Sequence, residues 1–308
     1  MATTHSDTTH VSGVRITHAH RDLFPRRHIT KEHLARYYEA VAPWMLPYVR
    51  ARPLTLVQCF EGADRPCAYM RHSHAWGPRE LRRVLIQEKT KLGEYLVADS
   101  AAALVALAQM DVLEIHTWNV RVDGHGVEKP DRLVFDLDPG PRVEWSCVVD
   151  AAHLVHSLLA QLELESFAKV TGGMGVHVVV PLAPRAGWDE SLAFARALAH
   201  AMARADPRRF TASMVKSVRA GRVYVDYLRN HRAASSIAEY STRAHPNAPV
   251  AVPVSWKELT PALRSDAFTV TDLLERLRVA KEDPWAGYFS VKQRLRASMT
   301  RALDAVRA

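Results

Sequence analysis

The stretch RLVFDLDPG, residues 132–140, admits few folds. In a β-strand successive side chains point to opposite faces, so Leu133, Phe135 and Leu137 share one side and Val134, Asp136 and Asp138 share the other. Pro139-Gly140 then ends the strand. Two carboxylates two strand positions apart lie about 6–7 Å from each other and repel unless water or a cation lies between them. A hard divalent ion suits that position: carboxylate oxygens match Mg²⁺ or Mn²⁺, and a strand end leaves room for waters and substrate phosphates. Taken alone, the same residues fit a strand whose last positions are solvated.

The rest of the chain bounds the setting. With 308 residues, 48% of them hydrophobic and 24% charged, it has the composition of a globular protein able to bury a real core. Lys and Arg exceed Asp and Glu by 41 to 33, so polyanions such as nucleic acid or nucleotides are plausible partners. Cys59, Cys67 and Cys147 form no C-x-x-C pair. Their pattern argues against a disulfide framework and a cysteine zinc cage, and fits a reducing cytoplasm. The start, MATTHSDTTH, lacks the apolar run of a signal peptide, and no run reaches membrane-span length. Residues 1–12 read as a flexible tail and 13–308 as one domain.

Within that domain the expected parts are an N-terminal region over about 13–120, the chemical motifs over about 121–245, and a strap with helices over about 246–308. Leu34, Tyr37, Tyr38 and Val41 have helical spacing behind Thr30 as a cap. RPLTLVQCF and CAYMRH read as short strands joined by EGADRP, residues 101–110 as an Ala/Leu helix, and VLEIHTW as a further strand. After the D-x-D strand, Val148, Ala152, Val155, Leu159 and Leu162 form one helical stripe. ESFAKV and GVHVVVPL follow as strands, then a helix over about 189–204 and the strand GRVYVDYL. Pro246, Pro249 and Pro253 mark an extended strap ending in a capping box, Ser255 to Glu258. A last helix over about 288–306 gathers Lys292, Arg294, Arg296 and Arg301 on a solvated face. This mixture of elements predicts an α+β, or mixed α/β, class.

Two more polar islands interrupt apolar strands. Thr171-Gly172-Gly173-Met174-Gly175 precedes His177 on a valine strand. Glycines let backbone N–H groups approach an anion, while a hydroxyl and an imidazole pointing the same way suit phosphate oxygens. No Lys follows the glycines, so this is not a Walker loop, and a plain glycine turn beside a buried His fits the same letters. The third island is GRVYVDYLRN, whose Asp226 shares a strand face with Tyr224 and Leu228. His72-x-His74 and His18-x-His20 lack a third zinc ligand and read as surface histidines.

LVFDLDPG, TGGMGVHVVVPL and VYVDYLRN, in this order, resemble the three motifs of the archaeo-eukaryotic primase superfamily, and most closely the polymerase domain of bacterial ATP-dependent DNA ligase D. The likeness spans about residues 14–290 and includes RPLTLVQCFEGADRP, VLEIHTWN, IAEYSTRA and DPWAGY. It implies a primase-like fold with a central, mostly antiparallel sheet flanked by helices. It further implies a two-metal nucleotidyl transferase in which Asp136 and Asp138 bind both Mn²⁺ or Mg²⁺ ions and Asp226 completes the one that activates the primer 3′-OH. By the same resemblance Thr171, Gly172 and His177 meet the incoming nucleoside triphosphate. His116 lies near its sugar, and Lys216, Arg219 and Arg243 surround its phosphates. Arg21 and Lys31 fall where the family grips a 5′-phosphate at a gap or break, and Tyr69, beside Arg71, where a ring stacks on the template. Lys31 also fits a helix N-terminal surface residue, and Tyr69 a core one.

The chain departs from that pattern at Met174, where relatives carry Lys, and at Gln58, where they carry Arg. Two cations near the nucleotide or template are then missing, which implies weaker binding there; the alternative is that another residue, Arg71 or Lys216 for example, fills the lost role. The resemblance implies addition of nucleotides, ribonucleotides in particular, at gaps or double-strand breaks in non-homologous end joining. The expected partners are DNA with a 5′-phosphate and, for a chain without ligase or nuclease segments, Ku and a separate ligase. The expected location is a bacterial cytoplasm at the nucleoid, with no membrane contact. Gap filling in excision repair, and a DNA-end-binding module with weak or lost polymerase activity, are the alternatives.

Overall fold

The computed structural model describes residues 7–73, 77–124, 126–280 and 282–306. Where the sequence reads as three consecutive parts, its residues group into two compact units that interleave along the chain. One comprises Met1–Trp118, Ile237–Ala251 and Phe268–Ala280; the other comprises Asn119–Ser236, Val252–Ala267 and Lys281–Ala308.

The first unit begins with β1 (Thr8–Val11) and β2 (Val14–Thr17), an antiparallel hairpin that pairs Thr8 with Thr17. From Thr8 onward the expected tail is therefore ordered strand, because buried Val11, Val14 and Ile16 give the hairpin an apolar side. β3 (Asp22–Phe24) and β4 (Ile29–Thr30) lead into α1 (Lys31–Val49). As expected, Thr30 caps this helix: its hydroxyl accepts from the His33 amide, and His33 Nδ1 accepts in return from the Thr30 amide.

β5 (Leu54–Gln58) pairs antiparallel with β6 (Ala68–Met70) on one side and with β9 (Val112–Trp118) on the other. Gln58 lies opposite Ala68, which places Cys59 opposite Cys67 one position further on, and the two form a disulfide. The expectation of no disulfide is thus corrected: cysteine count and spacing do not report a register that brings two strand ends together. A hairpin of β7 (Arg82–Gln87) and β8 (Leu92–Val97), helix α2 (Ala101–Gln109) and helix α5 (Val270–Val279) complete the unit. Both α2 and α5 pack on α1.

The second unit is built on a six-stranded sheet of β10 (Arg132–Pro139), β11 (Phe167–Val170), β12 (Val176–Pro181), β13 (Phe210–Thr211), β14 (Val223–Asp226) and β16 (Val252–Val254). Its order is β13-β14-β10-β12-β11-β16, antiparallel except for the β13–β14 pair. Every residue of β12 is buried, which accounts for its valine run. Helices α3 (Trp145–Gln161) and α4 (Trp188–Ala205) pack on the sheet, and α6 (Ala297–Asp304) packs on α4. The short β15 (Ser235–Ile237) leads out of the unit.

Two helix expectations are revised. Ser255 Oγ does accept from the Glu258 amide, yet it closes a turn and no α-helix follows. The last helix is only α6, so Lys292, Arg294 and Arg296 precede it and Arg301 alone of the four lies on it. Among the described residues no helix is long and apolar enough to cross a membrane.

Candidate active site

The sheet register aligns the polar residues that interrupt its strands. Asp136 lies opposite Asp226 on one side and opposite His177 on the other, and His177 lies opposite Lys169. Directly opposed residues share a sheet face, so Asp226, Asp136, His177 and Lys169 form one row across β14, β10, β12 and β11. Asp138 follows two positions along β10 on that face. Three strands that the sequence could only suspect of converging thus deliver three carboxylates and an imidazole to one place. Lys169, fully buried in this row, was not signalled by its motif.

Arg229 was also missed. It sits on the 3-10 turn after β14, three residues beyond Asp226, and its Nε donates to Asp136 Oδ2 at 2.9 Å while lying 3.4 Å from Asp226 Oδ2. The turn is fixed on both sides. Asp226 Oδ1 accepts from the Leu228 amide, and Asn230 exchanges two 2.8 Å hydrogen bonds with the backbone of Val134 on β10.

Charge is unevenly shared in this cluster. Burial opposes ionisation of Asp136, but His177 and the Arg229 guanidinium hold its carboxyl well below the usual range. Repulsion from Asp136, together with burial and Asp226, pushes Asp138 up to about 7. Burial raises Asp226 as well, with Asp136 adding to it against Arg229. His177 is brought down to about 4 by burial, against the pull of Asp136 3.3 Å away. Its Nδ1 is buried without a hydrogen-bond partner among the described residues.

The glycine turn is shaped to meet Asp138. A Cβ on Gly175 would lie 2.6 Å from Leu137 O and 2.7 Å from Asp138 Oδ1, so only glycine lets β12 start this close to β10. Thr171 Oγ1 donates to Gly175 O at 3.0 Å and accepts from the Gly173 and Gly175 amides. The hydroxyl suggested for a phosphate is therefore the turn's internal brace, joined there by Ser265, whose hydroxyl also donates to Gly175 O. Gly172 has a left-handed backbone and donates its amide to Ser265 O. Met174 at the tip is 70% exposed. Lys216 and Arg219 bound a further 3-10 turn; the Arg219 guanidinium lies 3.6 Å over the Tyr224 ring and donates to Ser213 O and Met214 O.

In the first unit, Glu114 on β9, also unforeseen, collects two of the expected nucleotide-binding residues. Its Oε2 accepts from His116 Nε2 at 2.8 Å; its Oε1 accepts from Arg243 Nε at 3.0 Å and from the Ala244 amide at 2.9 Å. Burial works against its charge, yet these partners bring its carboxyl down to about 2.

Asp111 plays a similar part for Arg21 and Lys31. Its Oδ1 lies 2.7 Å from Lys31 Nζ and also binds Arg21 Nη2. Lys31 is only 3% exposed, so it is not a surface residue of the helix start. Tyr69 is 60% exposed and so is not a core residue, and Arg71 two positions on is exposed too. Gln58, by contrast, is buried and donates to Met110 O at 2.7 Å. Of the histidine pairs, His72 meets Glu88, His74 lies outside the described residues, and both His18 and His20 are exposed.

The donor set fits a divalent cation. Three carboxylates converge on one face at the end of β10, and hard oxygen ligands are what Mg²⁺ and Mn²⁺ take. Among the described residues the acids are not drawn into a closed cage, because Arg229 stands between Asp136 and Asp226.

Comparison with known proteins identifies the family. Residues 30–285 match the family model "LigD, primase-polymerase domain". The chain is 38% identical over 296 residues to the multifunctional non-homologous end joining protein LigD of Pseudomonas aeruginosa, covering 95% of this chain and 35% of that protein. It is 34% identical over 279 residues to the LigD of Mycobacterium tuberculosis, covering 86% and 37%. The chain thus spans about a third of the length of these curated relatives. The polymerase domain of M. tuberculosis ligase D, solved in complex with DNA, superposes with a TM-score of 0.84 at 31% identity, over 91% of this chain and 99% of that one. The chain therefore belongs to the LigD primase-polymerase domain family, a family of DNA-directed nucleotidyltransferases.

Proposed function

We propose that the chain performs template-directed addition of nucleotides, with ribonucleotides as substrates, to primer 3′ ends at DNA gaps and double-strand breaks. The observation that carries this reading is the row of Asp226, Asp136 and His177 across three paired strands, with Asp138 beside it. Asp136, Asp138 and Asp226 are the residues to hold two Mg²⁺ or Mn²⁺ ions, which when bound offset charge on the attacking and leaving oxygens. Arg229 restrains Asp136 and Asp226 from the protein side and keeps the cluster from being wholly anionic. The glycine turn seats Asp138 by close approach, and Thr171 holds that turn rigid.

In the same reading His177 and the glycine turn that begins at Gly172 lie on the side of the nucleotide's phosphates, with Lys216 and Arg219 adding positive charge. His116 and Arg243 bind its sugar and phosphates; Arg suits that task because its fork pairs bidentately with phosphate. Arg21 and Lys31, gathered on Asp111, carry the positive charge for a 5′-phosphate. The exposed Tyr69 ring stacks on a template base, worth roughly 1–3 kcal/mol, beside Arg71. Gln58 is buried in a hydrogen bond to Met110 O, so the side chain at that departure serves packing and not a surface contact. The partners in this reading are broken DNA, nucleoside triphosphates, Ku and a ligase, and the site of action is the bacterial cytoplasm at the nucleoid.

Primer extension on gapped DNA carrying a 5′-phosphate tests the reading. Metal-dependent addition is expected, lost in EDTA and in Asp136→Ala and Asp138→Ala, both of which keep binding DNA. Extension at the parent rate by either variant refutes it.

A further inference from the structure

We propose that Glu114 is a positioning residue for nucleotide binding: one buried carboxylate fixes the ring orientation of His116 and the guanidinium of Arg243 together. The inference rests on the reading of those two residues as nucleotide ligands. Glu114 and His116 are two apart on β9, so their side chains share a face. The carboxylate divides its oxygens, Oε2 toward His116 Nε2 and Oε1 toward Arg243 Nε and the Ala244 amide.

This division has two consequences. Since Oε2 can only accept, Nε2 of His116 carries a proton, and in the neutral ring Nδ1 is then the acceptor. Since Oε1 takes both a side chain and the following backbone amide, Arg243 and the chain at Ala244 are fastened to β9 as one piece. The carboxylate is 10% exposed, so little solvent competes for it. The loop is held from its other side as well, with the Arg243 amide donating to Pro249 O. A side chain that served only to satisfy a buried helix or strand would not need an acid here. An acid is the one group that can accept from three donors while balancing a guanidinium.

Glu114→Gln separates the roles. The glutamine can still accept from Arg243 and Ala244 through its carbonyl, but its amide presents a donor to His116 Nε2, where an acceptor stood. The expected result is a rise of about tenfold in KM for the incoming nucleotide, the scale of one lost hydrogen bond to a charged group, with kcat changed less than threefold. In the His116→Ala background, the same Glu114→Gln change is expected to add less than twofold. An equal rise in both backgrounds overturns the proposal, because it shows that Glu114 does not act through His116.

If His116→Ala and Arg243→Ala themselves leave KM unchanged, the nucleotide reading of those residues has failed. If they raise KM while Glu114→Gln does not, the positioning role alone has failed. Should Glu114→Gln not fold, ¹⁵N spectroscopy of the parent's His116 decides: a proton on Nε2 is expected, and an Nδ1–H tautomer with bare Nε2 overturns the proposal.

Discussion

Gly140 closes the acidic strand, and its replacement by alanine offers a measurable test of how that strand is held. Its backbone is not left-handed, so the demand for glycine here is one of space. A Cβ would stand 1.8 Å from the Arg219 carbonyl oxygen and 2.7 Å from that of Arg222, both main-chain atoms without a flexible end to swing away. Reaching the 3.0 Å that real Cβ contacts respect requires a shift of at least 1.2 Å, from 1.8 to 3.0 Å. That shift breaks the 2.9 Å bond from the Gly140 amide to Arg222 O and parts β10 from β14 where Pro139 faces Val223.

Overpacking costs about 1–3 kcal/mol, and a buried backbone group left unpaired about 1–3 kcal/mol more, so Gly140→Ala should lose about 2–6 kcal/mol. At about 2–4 °C per kcal/mol for a protein this large, the melting temperature should drop by about 10 °C. Thermal unfolding followed by circular dichroism measures this, with Gly187→Ala as control: a Cβ there meets nothing within 4 Å, and the change should cost under about 1 kcal/mol. Because the displaced strands carry Asp136 and Asp226, activity should fall before the fold is lost. A Gly140→Ala protein melting within about 2 °C of the parent refutes the close-approach argument.

Three further outcomes are expected. Asp111→Ala leaves Lys31 buried without its carboxylate and should cost about 3–5 kcal/mol in urea unfolding; a loss under about 1 kcal/mol contradicts the pairing. Glu114 has its folded pKa below its unfolded one, so its contribution is complete above pH 4.5 and vanishes as pH falls toward about 2. It amounts to at most roughly 3 kcal/mol, and Glu114→Gln should flatten the urea midpoint between pH 5 and 2.5 relative to the parent. Finally, Met174→Lys adds a cation at an exposed tip and should lower KM for the nucleotide, with the gain shrinking as salt rises; an unchanged KM at low salt means position 174 does not face the phosphates.

Residues 132–140 were legible because alternation is a local property: Leu133, Phe135 and Leu137 against Asp136 and Asp138 is a pattern that only a strand satisfies. The same holds for β9, whose boundaries fall where VLEIHTW begins and ends. What the sequence did not reveal depends on register and on distant partners. Arg229 meets Asp136 across 93 positions and Arg243 meets Glu114 across 129, so neither pairing leaves a periodic trace. Lys169 reads as an ordinary strand lysine until β11 is set against β12. Cys59 and Cys67 needed the β5–β6 register, and the helix expected over 288–306 shrinks because charged side chains at helical spacing do not by themselves supply an apolar stripe.

The interleaving of the two units has a consequence for synthesis. The first 118 residues hold most of one unit, but the segment that pairs with them arrives only from Ile237. That segment is not decoration: the Tyr37 hydroxyl donates to Tyr240 O, the Ile115 amide to Ser241 Oγ, and the Ala238 amide to Ile115 O. At about 5–20 residues per second, a ribosome spends roughly 6–24 s between Trp118 and Ile237. For that interval β9 has an unpaired edge and α1 lacks partners for its buried tyrosines, while the nascent chain is already long enough to collapse. Slow codons or a missing chaperone in that window should therefore reduce the yield of soluble protein more than the same delay placed after Ala280, where both returning segments have already been made.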